Sequence, residues 1–161
     1  GDKLAFDINK VRGYECGCRF VAGTGGAKDT TTTVAWGLTG DRNDTIDTIA
    51  IASIFRLAST GATLPVVIEN DDATNTNDDV ATGFSMVDTT WAKFKIDFSN
   101  LDDVKYYAGL ATGGLTRVGA GTTMKMSAYA AGLQPFFQIQ KTSDTNVDAF
   151  EIDYIRVWGV R

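Results

Sequence analysis

Apolar side chains alternate with polar or small ones along most of this chain, the two-residue period of a strand that buries one face. Leu4, Phe6 and Ile8 form a first short set. Tyr14, Cys16, Cys18 and Phe20 form a second, which ends in the Gly-rich turn at residues 23–26. Val34, Trp36 and Leu38 make a third inward set, closed by Gly40 and Asp41. Residues 48–57 are more uniformly apolar and predict a strand buried on both faces, with a short helix as the lesser alternative. Leu64, Val66 and Ile68 follow, and Pro65 among them marks a strand start or an edge strand.

Residues 69–79 contain no apolar residue larger than Ala73 and read as a polar loop. Strands resume at 80–87 and 92–98. In the second, Ala92, Phe94, Ile96 and Phe98 face one way while Lys93, Lys95 and Asp97 face the other. A turn at 100–103 and a return strand carrying Val104, Tyr106 and Ala108 make residues 91–108 a hairpin. Residues 113–121 read as a flexible Gly-rich connection, and 124–129, 133–141 and 149–160 as further strands. About ten or eleven strands between Gly, Asp and Asn turns, without βα alternation, predict an all-β fold: a two-sheet antiparallel β-sandwich or a barrel. No linker or internal repeat divides the chain, so residues 1–161 read as one domain.

Composition sharpens this picture. A chain of 161 residues buries about 70% of its unfolded surface and needs no disulfide or metal to fold. No apolar run approaches the roughly 20 residues of a membrane span. No membrane partner is expected on that ground; no basic-then-apolar start reads as a signal peptide, and Gly1 in place of Met leaves a processed or missing leader open. It contains no His, which removes Ser-His-Asp and Cys-His mechanisms and His-based zinc sites. Of its 20 acids, 17 are Asp, a turn residue, and only Glu15, Glu69 and Glu151 are Glu. The 21 Thr suit strands. A net charge of −5, with the basic residues scattered, argues against a nucleic-acid partner. Cys16 and Cys18 share one strand face with Tyr14 and Phe20 and read as two small buried thiols, in keeping with a reducing compartment.

Few constellations carry chemistry. Glycosidases need two carboxyl groups about 5–10 Å apart, and Glu151-Ile152-Asp153 offers a pair on one strand, better read as a solvated face. The acidic stretches Asp41, Asp44, Asp47 and Asp71, Asp72, Asp78, Asp79 could supply oxygen ligands to calcium, but neither matches a calcium-loop motif. The primary expectation is therefore ordinary acidic loops and no cofactor. Neither Gly-rich stretch precedes a helix or has a P-loop ending. Trp91 and Tyr107 fall opposite their strands' apolar sets, and Trp158 lies near the C-terminus. These three are candidates for a sugar-stacking platform, for interface anchors, or for a second buried face. The Phe136-Phe137 pair puts one ring on each face of its strand.

Two segments resemble a known fold. Thr90-Trp91-Ala92-Lys93-Phe94-Lys95-Ile96-Asp97-Phe98 followed by Asp103-Val104-Lys105-Tyr106-Tyr107 resembles a hairpin of concanavalin A-like jelly-roll domains. Leu133-Gln134-Pro135, then Phe150-Glu151-Ile152-Asp153-Tyr154-Ile155-Arg156-Val157-Trp158, looks like that fold's last strands. The phrasing over residues 80–161 is similar to structural proteins of tailed bacteriophages, especially those decorating the head. That resemblance implies a non-enzymatic virion protein assembled in the host cytoplasm. Its partners would be the major capsid protein, other virion subunits or copies of itself. The same superfamily includes laminarinase-like glycoside hydrolases, but their Glu-x-Asp-x-x-Glu signature fails here, because Glu151 and Asp153 are followed by Arg156. It also includes lectins, which makes a carbohydrate-binding module or receptor-binding appendage the alternative function.

Overall fold

In the computed structural model, residues 5–57, 63–143 and 147–161 are described. They form eleven strands: β1 (Phe6–Asp7), β2 (Val11–Val21), β3 (Thr32–Thr39), β4 (Ile51–Leu57), β5 (Pro65–Asp72), β6 (Thr76–Ser85), β7 (Ala92–Asp97), β8 (Lys105–Leu110), β9 (Thr116–Val118), β10 (Gly132–Lys141) and β11 (Ala149–Gly159). All the pairings among them are antiparallel. One sheet runs β1-β10-β3-β4-β5-β6 and the other β11-β2-β7-β8-β9. The chain thus crosses repeatedly between layers, and late strands close beside early ones. Of the sandwich and the barrel that the alternation leaves open, this is the two-sheet β-sandwich, in the jelly-roll form that the resemblance implies.

The alternating sets face one another between the sheets. Trp36 and Phe55 come from the six-stranded sheet and Phe94 and Tyr106 from the five-stranded one, all buried. Their rings meet edge-on or tilted at 4.9 Å (Trp36–Phe94 and Phe55–Phe94) and 5.3 Å (Phe55–Tyr106). Each large apolar side chain buried here contributes about 1.5–3 kcal/mol before conformational entropy is charged against it. The Tyr106 hydroxyl is satisfied inside this layer, 2.5 Å from Ser53 Oγ and donating to Asn70 Oδ1 at 2.8 Å. Cys16 and Cys18 are free thiols within the same core.

Strand β4 is buried on both faces, as its apolar run predicts. The second face is covered by the segment before it, where a single 3₁₀ turn (Ile46–Thr48) drops Ile46 and Ile49 onto Ala35, Ala52, Ile54 and Phe136. Phe137 packs on the main core instead, so the two neighbouring rings do take opposite faces.

Four expectations are corrected. Residues 69–79 are a hairpin, because β5 and β6 run through the polar tract and turn only at residues 73–75. Polarity misleads there because the strand's polar side chains find internal partners. Asp72 accepts hydrogen bonds from the N–H groups of Asn75 (2.7 Å), Thr74 (3.1 Å) and Ala128 (3.0 Å), and Asn70 donates to the Lys125 carbonyl at 2.7 Å. Residues 124–129 form one bridge, Val104 to Met124, rather than a strand; Met124 and Met126 are buried from a turn-rich segment. The Gly-rich connection at 113–121 contains β9. Pro65 does start its strand, but β5 lies inside its sheet, paired on both sides, so the edge placement fails. Leu4 of the first alternating set lies outside the described residues.

Candidate functional site

The outer face of the five-stranded sheet carries the aromatic candidates. Because Phe94, Ile96, Tyr106 and Ala108 are buried, Lys93, Lys95, Asp97, Lys105 and Tyr107 project outward. Across the sheet, register sets Arg156, Glu15, Lys95, Tyr107 and Arg117 in one row, with Trp158, Gly13 and Asp97 in the adjoining row.

Two glycines shape this face. A Cβ on Gly13 would sit 2.1 Å from Trp158 Cζ2, and one on Gly17 would sit 2.7 Å from Tyr154 Cε1. Only glycine lets these rings lie directly on the β2 backbone, so the aromatics of the terminal strand fold inward over the sheet instead of splaying past its edge. The Tyr154 hydroxyl then donates to Glu15 Oε1 at 2.6 Å. Trp158 remains 36% exposed, enough for its ring to meet a ligand. Lys95 stands between Trp158 and Tyr107, its Nζ 5.8 Å from one ring centroid and 5.3 Å from the other, within cation–π range.

The structure therefore brings Trp158 and Tyr107 together, with Lys95 between them. Trp91 lies elsewhere, just ahead of β7, with the Arg19 guanidinium 4.8 Å from its ring centroid. Arg19 is fixed by Glu151, its Nε and a terminal nitrogen lying 2.8 and 2.7 Å from the same carboxylate oxygen. In the sequence Lys95 reads only as an outward-facing strand position, and Tyr154 is not singled out as a site residue. Tyr154 is hidden because a register irregularity after Ile152 leaves Asp153 without a partner and shifts the alternation. The signal that could have exposed Tyr154 was a strand with glycines four positions apart on one face, 13 and 17, beside an aromatic-rich one. An open groove of about 320 Å³, lined by Phe6, Lys10, Val11, Val157, Trp158 and Val160 among others, adjoins the Trp158 end.

The acidic constellations serve structure. Glu151 is engaged by Arg19, and Arg156 lies 5.8 Å from the Tyr154 ring, so the carboxylate pair has no free third member. The two acidic stretches do converge, but on the chain's own cation. Buried Arg56 pairs with Asp47, Asp79, Glu69 (3.6 Å) and Asp78 (3.7 Å). Burial, with Asp78, Asp79 and Asp71 nearby, pushes the Glu69 carboxyl up to about 7 against the pull of Arg56. Other aspartates cap turns: Asp29 accepts from Thr31 N–H at 2.7 Å, Asp71 from Ala73 N–H at 2.7 Å, and Asp97 from Ser99 N–H at 2.9 Å. Among the described residues no group of three or more Asp, Glu or Cys is arranged to hold a metal ion.

No family model matches the chain, and no curated protein matches it. A solved structure does: the carbohydrate recognition domain of Emp47p, with a TM-score of 0.63 over 99% of this chain and 76% of that one, at 13% identity. Nothing in these comparisons connects the chain to a phage particle. At this identity the likeness speaks for architecture, and it agrees with the sheet topology: the chain has the concanavalin A-like jelly-roll fold.

Proposed function

We propose that this protein binds carbohydrate on the outer face of its five-stranded sheet, as a recognition domain rather than an enzyme. The observation that carries the reading is the Trp158–Lys95–Tyr107 arrangement, two rings on a rigid sheet with a donor between them. A sugar presents an apolar C–H face and a rim of hydroxyls. An aromatic ring takes the first, and charged or amide donors take the second. Trp91 with Arg19 extends the surface beyond the central pair. The carbohydrate recognition domain of Emp47p shares the fold, which supports this reading over the virion role.

The test is a glycan array probed with the wild-type chain and with Trp158→Ala, Tyr107→Ala and Trp91→Ala. Loss of a stacked ring removes about 1.4 kcal/mol or more, a tenfold weakening, and Trp158→Ala and Tyr107→Ala should show it. Glycan binding untouched by either change would overturn the platform. Absence of any glycan ligand, with regular density for this chain on a virus particle, would install the capsid reading instead.

A further inference from the structure

We infer that the ligand of this face is an anionic glycan, one bearing carboxylate or sulfate groups. This rests on the carbohydrate reading and narrows it. The chain carries a net charge of −5, yet its five-stranded sheet turns the opposite character outward. Six of the 15 Lys and Arg (Arg19, Lys93, Lys95, Lys105, Arg117 and Arg156) occupy outward strand positions of this sheet. Against them stand Glu15, Asp97 and Glu151 on the same strands, Asp153 at the irregularity in β11, and Asp103 just ahead of β8, which pairs with Lys105 (3.8 Å) and Arg117 (3.5 Å).

The local pairing sharpens the imbalance. Glu151 is spent on Arg19 at 2.7 Å, and Glu15 accepts the Tyr154 hydroxyl at 2.6 Å. Asp97 reaches Lys95 only at 4.0 Å. Lys93 and Arg156 have no carboxylate within 4 Å among the described residues. Lys93 and Lys95 are two residues apart on β7, about 7 Å along the strand. Arg156 lies two strands from Lys95 in the same row, about 10 Å across. Three incompletely neutralised cations thus lie on the face that carries the Trp158 and Tyr107 rings: Lys95 against both rings, Arg156 in its row with Glu15 between them, and Lys93 in the next row, away from Trp158. A neutral sugar would leave these charges idle, whereas an acidic sugar stacked on the rings would place its anion among them. A nucleic acid would also meet cations and rings here, but its dense phosphates would face the excess of acids carried by the rest of the chain.

The experiment uses matched polymers: dextran against dextran sulfate, and methyl-esterified against de-esterified polygalacturonate, each titrated into the full chain by calorimetry. Single-stranded poly(dT) serves as a competing polyanion. The charged member of at least one pair should bind tenfold or more tighter than its neutral partner, and the pair that does so identifies sulfate or carboxylate. Raising NaCl from 50 to 300 mM should weaken that binding at least fivefold. Lys93→Gln/Lys95→Gln should reduce it to the level of the neutral polymer without unfolding the chain, checked by circular dichroism. Equal binding of charged and neutral forms would overturn the inference and leave the carbohydrate reading standing. Failure of every glycan, charged or neutral, here and on the array would remove both. Charged binding that survives the double lysine change, or poly(dT) binding as tight as the best glycan, would also overturn the inference.

Discussion

Replacing Glu69 by Gln should remove about 3 kcal/mol of pH-dependent stability between pH 4.5 and 7. The Glu69 side chain is 7% exposed, and its one cation, Arg56, is shared with Asp47, Asp78 and Asp79. A guanidinium divided among four carboxylates cannot offset both desolvation and the neighbouring negative charge. The Glu69 carboxyl is therefore held at about 7 in the fold against 4.5 without it. Because the folded state binds this proton more tightly, the group's penalty is absent below pH 4.5. It grows as pH rises and is complete above pH 7. The difference in pKa, at about 1.4 kcal/mol per unit, gives the stated magnitude. Asp29 runs the other way, since the Thr31 N–H and Lys141 hold its carboxyl below the usual range. Its contribution is present above about pH 4 and lost in stronger acid. The two windows do not overlap, so stability should peak between pH 4 and 5. Urea unfolding followed by tryptophan fluorescence, at constant ionic strength from pH 4 to 8, measures the curve. Wild-type protein more stable at pH 7.5 than at pH 5, or a Glu69→Gln variant with an unchanged slope, would refute the assignment.

Gly13→Ala forces the Trp158 ring off the β2 backbone and should weaken glycan binding about as much as Trp158→Ala, with an overpacking cost of about 1–3 kcal/mol read from the urea midpoint. Wild-type affinity in that variant would show that the seat on Gly13 does not position the ring. Tyr106→Phe takes the buried hydroxyl from Ser53 Oγ and Asn70 Oδ1 and should destabilise by about 1–3 kcal/mol; an effect within 0.3 kcal/mol would mean that water replaces the hydroxyl. Cys16 and Cys18 are both fully buried, and burial also pushes the Cys18 thiol up, so a chromogenic thiol reagent at pH 8 should reach neither until denaturant is added. Labelling at the rate of a free thiol in native buffer would contradict their place in the core.

Most of the fold was legible because one signal, period-two alternation, decides it. Tyr14 to Phe20, Val34 to Leu38 and Ala92 to Phe98 bury the side chains that alternation selects. At residues 69–79 the pattern misleads because polarity there does not mean solvent. Glu69, Asn70 and Asp72 are polar yet buried, because Arg56 and Tyr106 partner the first two from other strands, and the turn N–H groups of Thr74 and Asn75 together with the distant Ala128 N–H partner the third. At 124–129 the reverse happened, where buried methionines came from a segment making one bridge. For the site, Tyr107 could be placed on the outer face and Trp158 singled out as a candidate, but their meeting could not be foreseen. It depends on Gly13, on the register of β11 against β2, and on Lys95 reaching both rings. Two acidic stretches that suggested a cation site come together around Arg56, a long-range ion cluster no local motif announces.

The central claim is that the outer face of the five-stranded sheet is the carbohydrate surface, and amide chemical-shift mapping addresses it directly. An isotope-labelled chain would be titrated with the tightest-binding oligosaccharide from the array. Shifts should gather on residues 13–19, 93–97 and 151–158, at Tyr107, and at the Trp158 indole N–H. Shifts confined instead to the six-stranded sheet, around Arg42, Phe136 and Gln138, would contradict the account.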